Sequence, residues 1–195
     1  MQVAQGDLVG ALRSYRDSLA IRDRLTKSDP GNAGWQRDLS VAYNYVGNVQ
    51  VAQGNLPEAL ISYRDGLAIR ERLAKSDPGN AGWQRDLSVS YEKVGAVLVE
   101  QHNLPEALTS YRDGLAIAER LAKSDPSNTS SQRDLSVLHA SLAVALRQAG
   151  QEQEAREHFA VCRALIAQVV QRYPDWVELK RALAWIDEQI PALGP

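Results

Sequence analysis

The chain has 195 residues and a formal net charge of −2, with 22 Lys+Arg against 24 Asp+Glu. That balance supplies no basic stripe to displace counterions from phosphates, so nucleic acid is not an expected partner. A hydrophobic fraction of 44% supports a packed core, and a single cysteine excludes an internal disulfide or a Cys-based zinc cluster.

Gln2, Gln5, Asp7, Arg13 and Arg16 interrupt every apolar stretch near the start, and no apolar run is long enough for a membrane helix. A cytoplasmic protein without a membrane partner is expected. Along the chain, self-similarity dominates. Asp29-Pro30, Asp77-Pro78 and Asp125-Pro126 are 48 residues apart, and Tyr173-Pro174 continues the series. Tyr15, Tyr63, Tyr111 and Phe159 keep the same step, as do Leu39, Leu87, Leu135 and Leu183. Residues 31–78 and 79–126 differ at only nine of their 48 positions. The order is a partial repeat over 1–30, repeats over 31–78, 79–126 and 127–174, and a capping helix over 174–190, all in one domain. Gln2-Val3-Ala4-Gln5-Gly6 matches residues 50–54, so the sequence opens inside a repeat. A fragment of a longer array is expected, whose helix 7–28 exposes Leu8, Leu12, Tyr15 and Leu19.

Each unit reads as two helices. The first spans about 33–53, with Leu39, Tyr43, Val46 and Val49 at three- and four-residue spacing. Gly54 suits the positive φ of a helix end. Asn55-Leu56-Pro57-Glu58 has the pattern of a capping box with proline in the first turn. The second helix runs to about Lys75, and Asp77-Pro78-Gly79-Asn80 is a turn. One such hairpin cannot bury its apolar side alone, so neighbours must stack. The expected class is all-α: a solenoid, or right-handed α-α superhelix, of about four antiparallel helix pairs. Trp176, Leu179, Leu183, Trp185 and Ile186, followed by Pro191, mark the cap.

These residues resemble the tetratricopeptide repeat. Its pattern W-x2-L-G-x2-Y then A-x3-F reads here as Tyr43-x2-Val46-Gly47-x2-Gln50 then Ala59-x3-Tyr63, and again as Tyr91-x2-Val94-Gly95-x2-Leu98 then Ala107-x3-Tyr111. A third copy runs His139-x2-Leu142-Ala143-x2-Leu146 then Ala155-x3-Phe159. The family period is 34; the 14 additional residues lengthen both helices, as in the elongated repeats of kinesin light chains and bacterial signalling proteins. The resemblance implies a non-enzymatic scaffold that binds a peptide or partner protein in a concave groove lined by first helices.

Seven of the nine differences between the copied repeats fall on the first helix or its terminal turn, and 44, 48 and 52 form one helical line. Variation therefore concentrates where the family meets ligands; neutral drift of exposed positions is the alternative. The groove carried over from the family would present Arg37, Val41, Asn44 and Asn48, then Arg85, Val89, Glu92 and Ala96. Arg133, Val137, Ala140 and Val144 follow, and Trp185 takes a groove-facing position on the last helix. Asn44 and Asn48 could hydrogen-bond an extended peptide, and the arginines could form a ladder for acidic groups or answer charge at their own helix ends. Val137 and Ser141 stand where the family's carboxylate clamp wants cations.

His102 reads as a turn residue and His139 as a packing residue. His158 and Cys162 are four apart, but two ligands fall short of a metal site, and Cys162 stands where earlier repeats have Gly66 and Gly114. Trp35 and Trp83 read as packing residues. No phosphate loop, nucleophile elbow or metal-spaced histidine pair is present, so no enzyme activity, cofactor or metal is expected. Alternatives to peptide binding are a self-assembling spacer that associates through the N-terminal face, or a regulatory array of a larger fused signalling protein. Leu67→Ala or Leu115→Ala is expected to cost about 2–5 kcal/mol in denaturant melts if these positions are core, and Asn48→Ala to leave melting nearly unchanged.

Overall fold

The computed structural model describes residues 7–173 and 175–190. The repeat match at 2–6, Pro174 and Pro191 lie outside the described residues. Among those described there are eight helices and no strand. They fall into two compact units, divided after His102.

The first unit contains α1 (Leu8–Ser28), α2 (Ala33–Ala52), α3 (Leu56–Ser76) and α4 (Ala81–Glu100). Each helix packs on the next. At 20 or 21 residues they are about 30 Å long, so the additional residues of the 48-residue period extend regular helix. Asn32 and Asn80 start α2 and α4 by accepting from the backbone N–H of Trp35 (3.0 Å) and Trp83 (3.1 Å). The turns ahead of them are held by Asp29 and Asp77, whose carboxylates accept from Gly31 and Gly79 N–H at 3.2 Å.

The capping box expected at Asn55 does not form. Asn55 makes no side-chain cap, and proline in the first turn starts α3 instead. Gly54 ends the preceding helix with φ 76°, while His102, its counterpart one repeat later, is held at φ 60°. Leu39, Ile69 and Leu73 form a buried cluster covered by Leu19, Tyr43 and Trp83. Trp83 thus packs, as expected. Leu8, Leu12, Tyr15 and Leu19 are half-buried against the first unit, contrary to expectation. Tyr15 stacks on Tyr45 with ring centroids 5.1 Å apart. The outward apolar residues of α1 are Val9, Ile21 and Leu25. Val9 lies roughly 120° around the helix from Ile21, so the three form no single stripe.

The second unit contains α5 (Leu104–Ser124), α6 (Thr129–Gln148), α7 (Glu152–Arg172) and α8 (Val177–Gln189), again packed in sequence. Asn128 caps α6 through Ser131 N–H at 3.1 Å. Leu138, Leu142, Leu146, Phe159 and Ile186 are fully buried.

Close approach of α2 and α3 depends on two glycines. A Cβ at Gly47 would lie 2.6 Å from the Tyr63 ring, and one at Gly66 would lie 3.2 Å from the Ser40 carbonyl oxygen. In the second unit Cys162 occupies the place of Gly66, and its Sγ donates to the matching carbonyl, Ser136 O, at 3.1 Å.

Gly47→Ala is expected to destabilise by about 1–3 kcal/mol through overpacking on Tyr63. Leu115, buried, keeps the 2–5 kcal/mol expected of Leu→Ala, whereas half-buried Leu67 falls at or below its lower end. His102→Gly should raise the urea midpoint, a gain of no more than about 1 kcal/mol, by relieving left-handed strain at a non-glycine residue.

Candidate functional site

On α2 and α4 the expected ligand-facing groups are largely occupied by the protein itself. Arg37 reaches Asp86 on α4, with Nε at 2.5 Å and Nη2 at 3.4 Å from its carboxylate oxygens. The pairing crosses to the next first helix instead of answering the adjacent Asp38. Asn44 is a correction. It is 8% exposed, and with its amide oxygen toward Arg70 it accepts from Nη1 at 2.8 Å and Nη2 at 3.0 Å. Its amide is therefore withdrawn from any bound peptide. Asn48 is exposed, but its Oδ1 accepts from Tyr63 Oη (2.8 Å) and Lys93 Nζ (3.1 Å). Asn48→Ala therefore removes two hydrogen bonds, so the near-neutral expectation gives way to a cost of about 1 kcal/mol. Val41, Val89, Glu92 and Ala96 are half-buried and Arg85 is exposed.

Arg70 organises this region. Buried on α3, it donates through Nε to Ser40 Oγ (3.0 Å) and through Nη1 to Asp86 O (3.1 Å) and Ser90 Oγ (2.5 Å). Burial lowers its pKa from the usual arginine value, and Asp86 opposes that shift. Gln50, also buried, accepts from Ser62 Oγ at 2.7 Å. Lys93 lies 5.6 Å over the Tyr63 ring. Positions 42/90, 44/92, 45/93, 48/96, 50/98 and 70/118 all differ between the copied repeats. The side chains of Ser90, Asn44, Tyr45, Lys93, Asn48, Gln50 and Arg70 at these positions engage other side chains of the unit. Most of the variation is thus linked to packing.

The second unit differs. Arg133, Val137 and Ala140 on α6 and Trp185 on α8 line one cavity of about 350 Å³. Its other walls include Ser136, Cys162, Ile166, Trp176, Leu179 and Ala182. Trp185 takes the repeat position of Val41, Val89 and Val137. It is 41% exposed, with its ring set edge-on to Phe159 at 5.9 Å. Trp176, Leu179 and Ala182 were recognised from sequence only as cap residues or not at all. The readable signal was periodic: Ala182 falls where the repeat has Asp86 and Asp134.

His139 and His158 meet at the α6–α7 contact with Nδ1 atoms 2.8 Å apart. Burial, chiefly, and then His158 push His139 down to about 4. Burial also lowers His158, against the raising effect of Glu154. Burial pushes the Cys162 thiol up to about 11, which keeps it protonated. Among the described residues no group of three or more His, Cys, Asp or Glu side chains could hold a metal ion, and no helix is long and apolar enough to cross a membrane.

Residues 39–78 match the family model described as tetratricopeptide repeat. No curated protein matches the chain. The fold is similar to that of BtubC (BKLC) from P. vanneervenii, with a TM-score of 0.63 and 16% identity over 94% of this chain and 73% of that one. It is also similar to the yeast histone chaperone Hif1, described as a scaffold protein recruiting protein complexes to core histones. That likeness has a TM-score of 0.59 and 15% identity over 98% of this chain and 96% of that one. The helix pairs thus have a tetratricopeptide-type fold, with the family match itself covering residues 39–78.

Asn44→Ala is expected to cost about 1–3 kcal/mol, because the Arg70 guanidinium loses an acceptor in a buried place. The Asn44→Ala/Arg70→Ala pair should be non-additive in urea melts. His139 binds its proton near pH 6.5 when unfolded but only near 4 when folded. Its contribution is therefore complete above about pH 6.5 and is lost as pH falls toward 4. About 2–3 kcal/mol should disappear between pH 7 and 4, and His139→Phe should flatten the profile.

Proposed function

We propose that the chain is a non-enzymatic protein-interaction module that holds an extended peptide or partner segment along its first-helix faces. In the second unit the principal contact is the cavity between α6 and α8. The observation that carries this reading is the meeting of Arg133, Ala140 and Trp185 around one cavity of about 350 Å³, near the lower end of the usual range for ligand pockets. Large aromatic residues and arginine are the side chains most often responsible for binding energy at protein interfaces. The family resemblance and the repeat match at 39–78 supply the class of activity. In the first unit Arg37, Val41, Asn48, Arg85, Val89, Glu92 and Ala96 serve as rim contacts at most, and Asn44 supports the fold. A cytoplasmic setting suits such a module.

Amide chemical-shift mapping during titration with a mixed library of octapeptides provides the test. Shifts are expected on α6 and α8, with smaller ones on α2 and α4. Shifts confined to the outward faces of α3 and α5 reject the first-helix surface as the binding face.

A further inference from the structure

The repeat over 127–174 departs from the two before it where α6 meets α7. Positions that carry Tyr43 and Tyr91 on the first helices, and Ser62 and Ser110 on the second, carry His139 and His158 here. Their Nδ1 atoms lie 2.8 Å apart. His139 is 5% exposed and the His158 side chain 20%. A hydrogen bond between two Nδ1 atoms needs a hydrogen on one and a bare lone pair on the other. On its far side His158 turns Nε2 toward Glu154 Oε1 at 4.0 Å, and that oxygen also accepts from Arg112 Nη2 on α5 at 2.8 Å. A first proton preserves the bond, because the imidazolium donates to the remaining bare nitrogen and the charge can rest on His158 beside Glu154. A second proton leaves an N–H on both Nδ1 atoms, so two donors and two positive charges face each other.

The pair also stands beside the α6–α8 cavity. Ala140 follows His139, Ser136 lies about a turn before it, and Cys162 lies about a turn beyond His158; all three line the cavity. Cys162 Sγ donates to Ser136 O across the same helix contact at 3.1 Å. Parting α6 from α7 at the histidines therefore breaks the cavity wall and uncovers the chain's single cysteine. We infer that His139 and His158 form an acid-operated latch on this cavity, an inference that rests on reading the cavity as the binding contact. The latch stays shut with one proton or none. It parts α6 from α7 and releases the occupant when both rings are charged. The charged groups acting on the pair are Glu154 and Glu157 on α7 and Arg112 and Glu119 on α5, while α6 brings His139 itself. On α8 the Asp187 carboxylate is taken by Arg163. Burial holds both histidines below the ordinary histidine range, so the latch is shut at neutral pH. Once exposed, each ring returns toward its usual value, so acid favours the open form.

Cys162 gives a readout that needs no ligand. Its rate of reaction with dithiodipyridine, divided by the rate for the urea-unfolded chain at the same pH, measures the opening equilibrium. Between about pH 7 and 5 that ratio should rise at least tenfold, with a dependence steeper than one proton per opening over part of the range. His139→Tyr and His158→Ser restore the residues of the earlier repeats. Each should reduce the dependence to one proton or less, and the double variant should remove it. The indole N–H resonances of Trp176 and Trp185 should shift over the same range while Trp35 and Trp83 of the first unit stay fixed. Any octapeptide of the mixed library that binds at about pH 7 should be released at about pH 5, and should be retained by the double variant.

A dependence of one proton or less in the native chain overturns the latch, as does a steep dependence that survives in the double variant. Equal movement of all the indoles assigns the acid response to unfolding of the whole chain and also overturns it. Opening at Cys162 with peptide affinity unchanged overturns the control of the cavity but leaves the first-helix reading standing. If no peptide binds at any pH, the binding reading fails, and the thiol and indole responses decide the latch by themselves.

Discussion

The packing of α2 on α3 turns on two points where their surfaces cross, each occupied by glycine. Tyr63 lies over Gly47, and Gly66 lies against the Ser40 carbonyl. Without a Cβ at either place, the apolar stripes of α2 and α3 come close enough to exclude water from Val46, Val49, Ala59 and Tyr63. The second unit keeps the geometry with different atoms. Ala143 and Phe159 stand for Gly47 and Tyr63, and the Cys162 thiol donates to the carbonyl that in the first unit faces a bare glycine. A buried thiol raised to about 11 is a packing group and a weak donor, which accounts for the chain's single cysteine without invoking reactivity.

Around that contact the first unit carries a polar network that is unusual for repeats copied so closely. Arg70 joins Ser40, Asn44, Ser90 and the Asp86 carbonyl, and Arg37 holds the Asp86 carboxylate. A buried guanidinium is tolerated only when its donors are satisfied, so Asn44, Arg70 and Ser90 act as a set. One repeat later the positions of Asn44 and Arg70 are Glu92 and Ala118. Differences between copies that look like tuning for a ligand are, at these positions, the residues of one internal network. The same reasoning separates the arginines. Arg37 has a carboxylate across the junction, and Arg133 faces an alanine at the equivalent place.

Much of the architecture was legible in the residues. Period, helix pairing and helix ends follow from short-range chemistry: Asn80 caps, Gly54 reverses the chain, and Pro57 starts the next helix. The capping box at Asn55 failed because proline in the first turn already provides the start. Of the candidate site, Arg133, Ala140 and Trp185 were named by carrying the groove positions of the resembled family onto this sequence, and Asn44, named in the same way, was misassigned for an instructive reason. Register gives the side of a helix on which a residue sits, but not whether a long side chain from the neighbouring helix reaches over to cover it.

The sequence by itself determined the repeat and its hairpin unit, because each depends on contacts within a few residues or on a strict 48-residue echo. Only the tertiary structure decided which polar groups are free. Arg70 buries Asn44 from α3, Tyr63 and Lys93 occupy Asn48, and Arg133 opens with Trp185 onto a shared cavity. These outcomes depend on where flexible side chains from separate helices meet, and that is set by packing across the hairpins rather than by spacing along any one of them.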